Sequence, residues 1–403
     1  MGDAQIYVRT ATYNTDVSAF FTKWLVDVQD AQLENGGFSD VSPRKVAIGG
    51  GTAAWGDAGV ICPWTIYKVY GDTRVLAKHY GAMQKWIEYC KGTSQGLLRP
   101  AEGYGDWLSI QADTPKDVLA TAYFARSTKL VAEIAAVLGK KDDAQKYEQL
   151  FEDIKQAFND AYVTPDGKIK GDTQTVYVLA LAFDLLPKEK REIATKYLTD
   201  NIRDCNWHLS TGFVGTKDLM ATLTRFGATD VAYHLFHNES FPSWGFSIRH
   251  GATSIWERWD GWTPEKGFQD PGMNSFAHYS FGAVAEWMFK TIAGIDTDGA
   301  GYQRIIIHPR PGGRISWAKT SYNSIQGQIA TAWKVQDGEF LFEVTIPANT
   351  VATVYIPAKD AAAVREGLKP ATNTAGVKFI EMQGNDAVFE VGSGHYKFKS
   401  QMP

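Results

Sequence analysis

Acidic residues stand beside tryptophans in a short stretch of the chain. The segment GATSIWERWDGW (251–262) places one carboxylate, Glu257, between Trp256 and Trp259. Indole rings offer flat apolar faces for the C–H faces of sugars, and carboxylates bond to sugar hydroxyls. A carboxylate can also deprotonate a water molecule, and the hydrolysis of glycosides uses two carboxyl groups in concert. Glu257 is therefore a candidate catalytic carboxylate, and we expect it to work with a partner.

Further acids and aromatic residues occupy Gly-rich loops elsewhere in the chain. They are Asp3 in MGDAQIY, Trp55 and Asp57 in AAWGDAGVICPW, Asp106 and Trp107 in EGYGDWLS, and His278 in NSFAHYSFG. An acid next to a tryptophan, repeated in loops between helices, is typical of a carbohydrate cleft. We predict that these residues line one sugar-binding site together with Trp256 and Trp259.

Each candidate acid also has a structural interpretation. Asp3 and Asp57 each follow a glycine and could cap the N-terminus of a helix. Asp106 could be a turn residue. The structural alternative for Glu257 is an ion pair with one of the two nearby arginines, Arg258 or Arg249.

The aromatic candidates have structural alternatives as well. Trp55 and Trp107 could fill a large core, and His278 opens an apolar stretch where it could be a packing residue. The chain holds 13 Trp, 18 Tyr and 21 Phe, so many rings must be buried whatever the function.

Composition excludes several classes of protein. The 403 residues are 44% apolar and 21% charged with a net charge of −4, which is typical of a soluble globular enzyme and not of a nucleic-acid or membrane-surface protein. The three cysteines are scattered without metal-ligand spacing, and no Walker, Rossmann, HExxH or GxSxG pattern occurs. We expect no cofactor and no metal. The first residues lack the features of a signal peptide, and the compartment stays open.

The elements that position the candidates are helices over the first three quarters of the chain. Periodicity predicts them near 3–13, 15–33, 57–70, 73–91, 115–138, 142–163, 173–185, 188–203, 216–226, 229–237 and 275–293. Short turns join them in pairs, as in antiparallel helical hairpins arranged in series. Six hairpins would need twelve helices, so the eleven segments suggest that one helix is missing, and we expect it to precede Met1.

After residue 297 the period changes to that of strands. Short β-branched runs, including RIIIHP, GQIATAWKV, EFLFEVTI, TVATVYIP, AVFEV and HYKFK, alternate with Gly, Asn, Asp and Pro turns. We predict an antiparallel β-sandwich over 298–403 and a helical domain over 1–297, which makes the protein mainly α.

Several motifs in fixed order resemble a known family. MGDAQIYVRTATYNTDVSAFF, AAWGDAGVICPW, GDWLS, HLSTGFVGT, GATSIWERWDGW and NSFAHYSFGAVAEWMF resemble the catalytic domain of the α-L-rhamnosidases of glycoside hydrolase family 78. The C-terminal motifs resemble the β-sandwich that closes those enzymes. The resemblance covers essentially the whole chain.

The resemblance implies a fold, a reaction and roles for the candidates. The fold would be an (α/α)6 barrel, and the reaction the hydrolysis of terminal α-L-rhamnosyl groups with inversion. Glu257 would be the general base, and Asp3 and His278 would bond sugar hydroxyls. Trp55 and Trp107 would wall the sugar pocket.

The resemblance is weaker at three further positions. Asp57 and Asp106 are carried over as lining residues only. Ala277 stands where the family often has Asn, which removes one polar contact. The expected partner is an L-rhamnose-containing glycoside or polysaccharide.

One departure concerns the general acid. In the family this acid is a Glu in a motif a few residues upstream of the Gly–Asp that Gly2 and Asp3 match. We therefore expect this chain to be an N-terminally truncated piece that keeps the base and lacks the acid. Two alternatives stay open: a rhamnose-binding protein without catalysis, and an (α/α)6 glycosidase for another sugar.

Overall fold

The computed structural model describes residues 1–46 and 48–403, and they form two compact units. The first unit comprises Met1–Thr65 and Thr73–Val284, and the second comprises Ile66–Asp72 and Ala285–Pro403. The first is built from helices and the second mainly from strands. The boundary drawn after residue 297 from the sequence pattern stays a prediction.

Along the described chain, helices with many buried positions alternate with helices that bury one face. Their bounds are α1 (Gly2–Asn14), α2 (Ser18–Asp30), α3 (Ala58–Tyr70), α4 (Thr73–Gly92), α5 (Lys116–Val137), α6 (Lys141–Tyr162), α7 (Gln174–Ala182), α8 (Lys188–Asp204), α9 (Phe213–Arg225), α10 (Thr229–His237), α11 (Trp244–Arg249) and α12 (Val284–Trp287). In α7 (QTVYVLALA) residues 174–181 are all buried, whereas the charged α8 buries a single stripe. This alternation is that of inner and outer helices in a ring of hairpins. A mainly α fold with a C-terminal β domain, as the sequence predicts, is confirmed.

Two helix boundaries differ from the sequence pattern for identifiable reasons. Periodicity predicts a helix from 216, but α9 begins at Phe213, because a distant carboxylate, Asp106, accepts the first backbone N–H groups. Periodicity also predicts a helix from 275. The structure instead has a 3-10 turn at Ser280–Ala283, then α12, then a π-helical turn at Met288–Ile292. The short α11 was not predicted, since six residues are too few to show a period.

The strands of the second unit form one hydrogen-bonded sheet of nine. The first unit contains one short hairpin of two-residue strands, β1 (Trp262–Thr263) and β2 (Gly267–Phe268). The nine strands of the second unit are β3 (Ile295–Asp298), β4 (Arg304–Ile307), β5 (Trp317–Ser324), β6 (Gly327–Gln336), β7 (Glu339–Pro357), β8 (Arg365–Glu366), β9 (Lys369–Pro370), β10 (Val377–Gln383) and β11 (Asp386–Gln401). The long strands β7 and β11 each span two of the predicted strands. One pairing, β4 with β7, is parallel and departs from the antiparallel prediction.

The nine strands divide into two leaves that share β7 and β11. Residues 339–346 pair with 394–401 beside β6 in one leaf, and residues 351–357 pair with 386–392 beside β4 and β10 in the other. A register shift between Gly392 and Gly394 marks the bend. Phe389 and Phe398 lie nine positions apart, about 30 Å along a straight strand, yet their ring centroids are 6.4 Å apart. The leaves therefore pack face to face as a sandwich.

No helix in the described residues is long and apolar enough to cross a membrane.

Candidate active site

Six residues are linked by contacts into two groups that a backbone hydrogen bond from Phe213 to the Trp107 carbonyl joins, and they are here called the mouth cluster. Its members are Asp3, Trp55, Tyr104, Trp107, Phe213 and His278. Four of them lie at or just before the N-terminal ends of α1, α3, α9 and the 3-10 turn that leads into α12, whereas Tyr104 and Trp107 lie in the loop between α4 and α5. The cluster thus gathers residues from most of the length of the first unit.

Aromatic contacts link three members of the cluster. The Trp55 ring lies 4.6 Å from the Tyr104 ring, and Tyr104 meets Trp107 edge-on at 5.9 Å. Gly2 has to be a glycine here, because a Cβ atom at this position would lie 2.6 Å from Cε2 of Trp55. The rings of Trp55, Tyr104 and Trp107 therefore make one continuous wall.

Polar contacts link Asp3 to His278 and Ser280. Nε2 of His278 lies 3.4 Å from Oδ1 of Asp3, and the His278 ring packs against Phe213 at 5.2 Å. The backbone N–H of Ser280 donates to Nδ1 of His278 at 3.4 Å, which puts the hydrogen of a neutral imidazole on Nε2. Ser280 Oγ donates to the same Asp3 oxygen at 2.6 Å. Asp3 and His278 are both half-buried, so each can also bond to a ligand.

Asp57 is buried and holds the turn that carries Trp55. Its carboxylate accepts hydrogen bonds from the Ala54 backbone N–H (2.7 Å), Trp86 Nε1 (3.0 Å) and Ser127 Oγ (2.6 Å). Ala54 has a positive φ of 67°, which is strained for a residue with a Cβ atom. Burial raises the pKa of Asp57 to about 6 despite these donors. Its oxygens thus face protein groups that fix the Trp55 turn.

Asp106 joins the Trp107 loop to the start of α9. Its two oxygens accept from the backbone N–H groups of Gly212, Val214 and Gly215 at 2.8 to 3.0 Å and from the Thr175 hydroxyl. Burial raises the pKa of Asp106. The N-terminus of a helix favours such a carboxylate because its first N–H groups lack partners within the helix.

The loop that carries Glu257 runs beside the loop that carries His278. The Glu257 N–H donates to the Ser275 carbonyl at 2.8 Å, and the His278 N–H donates to the Ile255 carbonyl at 2.9 Å. These two bonds hold the Glu257 segment beside the segment that carries His278. They also explain why residues 275–279 do not join the following helix.

The carboxylate of Glu257 is half-buried and unengaged. Arg258 binds Asp260 through two nitrogens at 2.9 and 3.3 Å, and Arg249 pairs with Glu239 at 3.3 Å. The ion-pair alternative for Glu257 is therefore wrong. Within residues 1–46 and 48–403 no donor or cation contacts this carboxylate.

Trp256 and Trp259 flank Glu257 but are directed elsewhere. They line a cavity of about 290 Å³ with Trp244, Phe281 and Ile248, and among the described lining residues none belongs to the mouth cluster. Trp259 is 3% exposed, stacks on Phe281 at 4.0 Å and donates through Nε1 to the Thr211 carbonyl. Their contact with a sugar stays a prediction, whereas their role in packing the loop is visible.

Sequence reasoning did not single out three residues that complete the cluster: Tyr104, Phe213 and Ser280. The sequence carries a weak signal for Tyr104, which lies within the EGYGDW motif two positions before Asp106. Phe213 and Ser280 reach the site through the packing of distant segments, which no local pattern reports. In the described residues no three His, Cys, Asp or Glu side chains group in a way that could hold a metal ion.

Comparisons with known proteins define the class and then the family. Residues 1–292 match the family model of the bacterial alpha-L-rhamnosidase 6 hairpin glycosidase domain, and residues 294–369 match that of the bacterial alpha-L-rhamnosidase C-terminal domain. The first unit is thus a six-hairpin glycosidase domain. The chain belongs to the bacterial α-L-rhamnosidase family.

Individual relatives share the fold and much of the sequence. An alpha-L-rhamnosidase of Streptomyces avermitilis is 48% identical over 98% of this chain, and one of Formosa agariphila is 37% identical over 99%. The crystal structure of the S. avermitilis alpha-L-rhamnosidase complexed with L-rhamnose covers 99% of this chain with a TM-score of 0.95 at 47% identity. The chain spans 38% of the S. avermitilis protein and 44% of the F. agariphila protein.

Proposed function

We propose that the protein is an inverting glycoside hydrolase that removes terminal α-L-rhamnosyl groups, with Glu257 as the general base. The observation that carries the proposal is the unengaged carboxylate of Glu257, whose segment is hydrogen-bonded through the backbone to the segment that carries His278 of the mouth cluster. Membership of the α-L-rhamnosidase family supports the choice of substrate. The S. avermitilis relative has been crystallised with L-rhamnose, which supports rhamnose as the bound sugar.

The mouth cluster supplies the groups that a deoxy sugar needs. Asp3 accepts and His278 Nε2 donates hydrogen bonds, so the pair can hold two adjacent hydroxyls. The wall of Trp55, Tyr104 and Trp107 suits the C–H faces and the C6 methyl group of rhamnose. We assign these residues to binding.

Glu257 would act on water. In inverting hydrolysis an ionised carboxylate takes a proton from the water that attacks the anomeric carbon, and the aglycone leaves from the opposite face. A carboxylate already engaged by an arginine would be a weaker base, and Glu257 is free of such a partner among the described residues. The protonated carboxyl that assists the leaving group stands roughly 6.5–9.5 Å from the base in such enzymes.

We assign the general acid to none of the described residues. Asp57 and Asp106 have both oxygens engaged by protein donors, and we propose that they hold the Trp55 and Trp107 loops. A test of the base should therefore use a substrate that does not need the acid.

The test is hydrolysis of 2,4-dinitrophenyl α-L-rhamnoside, because its leaving group departs without a proton. We expect β-L-rhamnose as the first product by NMR. Glu257→Gln should lower kcat by about 10²- to 10⁴-fold, the usual contribution of a general base. Azide should restore turnover of Glu257→Ala by forming β-L-rhamnosyl azide. L-Rhamnose affinity, measured by calorimetry, should change little because a base contributes little to ground-state binding.

Glu265→Gln is the matched control, since Glu265 is exposed in the turn of the neighbouring β1–β2 hairpin. An α-anomeric first product, or full activity of Glu257→Gln, would refute the proposed mechanism. Preference for a glucoside or mannoside would refute the substrate. Rhamnose binding with no turnover even of the dinitrophenyl substrate would favour the non-catalytic alternative.

A further inference from the structure

The outer face of one leaf of the second unit carries an ordered array of cations. Two rows of residues run across the strands of this leaf, and each residue in a row is paired with the next one on the neighbouring strand. The first row is Trp317, Lys334, Leu341, Lys399 and Arg365, and the second is Lys319, Ala332, Glu343 and Lys397. We call these residues, with Glu339, the basic face.

Strand alternation directs this face to solvent. The residues that alternate with it, Trp333, Phe342 and Phe398, are 2% exposed or less and form the sandwich interior. The cationic side chains are all exposed. With strands about 4.8 Å apart, the first row of five residues extends over roughly 19 Å. The face is long enough to contact several units of a polymer.

The charge of the face is opposite to that of the chain. Five cations and two carboxylates, Glu339 and Glu343, give it a net charge of +3, while the whole chain carries −4. Lys397 pairs with Glu343 at 2.8 Å and Lys399 with Glu339 at 2.7 Å. In the described part of the chain Lys319 and Lys334 form no ion pair, so their charges are available to an anionic ligand.

An exposed indole lies within the same array. Trp317 is 64% exposed, and Leu341, two strands away in the same row, is 38% exposed. Lys334 lies between them in the row, on the strand next to that of Trp317. Lys319 lies on the same strand as Trp317, two positions further on. A large ring left in water beside unpaired cations is suited to a ligand that has both apolar faces and negative charges.

We propose that the basic face binds an anionic polysaccharide. Pyranose rings would stack on Trp317, and carboxylate or sulfate groups along the polymer would pair with Lys319, Lys334 and Arg365. This site lies in the second unit, and its residues are separate from the mouth cluster. The inference therefore goes beyond the proposed hydrolysis.

The same features argue against other polyanions. A nucleic acid carries a phosphate at every nucleotide, and the two carboxylates of the basic face would repel so dense a charge. An anionic membrane surface would call for a larger apolar contribution than Trp317 and Leu341 supply. A polysaccharide with spaced charges tolerates Glu339 and Glu343, and its hydroxyls can bond to them.

Affinity electrophoresis under native conditions tests the proposal, with polygalacturonate, dextran sulfate and neutral dextran as the polymers in the gel. The two anionic probes distinguish carboxylate from sulfate as the recognised group. We expect at least one of them to retard the protein and dextran to leave its mobility unchanged. The double variant Lys319→Glu/Lys334→Glu should weaken binding at least tenfold, and Trp317→Ala about tenfold.

Two matched variants serve as controls. Lys359→Glu makes the same charge reversal as each of the two lysine substitutions, at an exposed position after β7, and Phe268→Ala removes an exposed ring from the first unit. Neither should alter retardation. The proposal is overturned if neither anionic polymer retards the protein, if the control Lys359→Glu reduces binding as much, or if single-stranded DNA or phosphatidylserine vesicles bind more tightly. Binding should persist in Glu257→Gln, so the result does not depend on the proposed hydrolysis.

Discussion

Ser280 Oγ donates a hydrogen bond of 2.6 Å to Oδ1 of Asp3, across 277 positions of the chain. The same serine donates its backbone N–H to Nδ1 of His278. One buried residue thus sets the orientation of an acid and of an imidazole at once. We infer that Ser280 is a positioning residue, because both groups it holds are assigned to sugar binding and Ser280 itself is only 1% exposed.

Ser280→Ala should weaken the binding of L-rhamnose. Hydrogen bonds to charged groups contribute about 1.5–3 kcal/mol, so we expect affinity to fall roughly 10- to 100-fold by calorimetry. Ser280→Thr keeps the hydroxyl and should recover much of the loss. The control is Ser400→Ala, which removes a buried hydroxyl that bonds to the Pro357 carbonyl in the second unit. An equal loss of affinity in that control would contradict the assignment.

Asp106→Asn should destabilise the first unit. The carboxylate accepts hydrogen bonds through both oxygens, whereas the amide of Asn would point an –NH2 group at some of the same N–H donors. We therefore expect a loss of about 1–3 kcal/mol in the free energy of unfolding. Denaturant titration measures it. Asp113→Asn changes an exposed residue of the same loop and should have little effect. Equal stability of the two variants would show that the helix cap contributes nothing.

Gly212→Ala should be destabilising although its φ of −85° is open to any residue. The added Cβ would lie 2.2 Å from the Trp107 carbonyl oxygen and 2.5 Å from that of Asp106, and backbone atoms cannot rotate away. We expect a loss of about 1–3 kcal/mol and a change in tryptophan fluorescence as Trp107 moves.

Gly81→Ala is the comparison for this substitution. Gly81 lies within α4, and a Cβ atom there would meet no other atom within 4 Å. It should stabilise the protein by about 0.5–1 kcal/mol, because alanine favours a helix over glycine. A Gly212→Ala protein as stable as the parent would mean that the loop and α9 can separate freely.

Asp57 should make stability depend on pH between about 4 and 6. Burial raises its pKa in the folded state to about 6 from the ordinary 3.8, so the folded protein binds more protons than the unfolded one in this interval. The free energy of unfolding contributed by Asp57 therefore decreases as pH rises from about 4 to about 6. The total change is about 3 kcal/mol. The contribution of Asp57 to the free energy of unfolding is constant above and below that window.

Thermal unfolding from pH 4 to 7 measures this dependence. Asp57→Asn should flatten the slope, since it removes the titrating group, while Asp113→Asn should leave the slope in place. A slope in Asp57→Asn equal to that of the parent would assign the dependence to another group.

Much of the architecture could be predicted from the sequence because it depends on local periodicity. The apolar run of α7 and the single stripe of α8 indicate inner and outer helices without any tertiary information. The change to alternating β-branched residues after position 297 indicates the strands of the second unit in the same way. Motif order was sufficient for the family, because many short segments agree in sequence at once.

Tertiary structure decided which acids are engaged by protein donors and which are left free. Asp57 and Glu257 look alike in sequence, since both stand near tryptophans in Gly-rich loops. Asp57 is engaged by Trp86 and Ser127, 29 and 70 positions away, while Glu257 is left free because Arg258 is bound to Asp260. Burial and hydrogen-bond partners come from segments far apart in the chain, so no local pattern contains them. For the same reason Ser280 and Phe213 emerged only when α1, α9 and the residues before α12 were seen together.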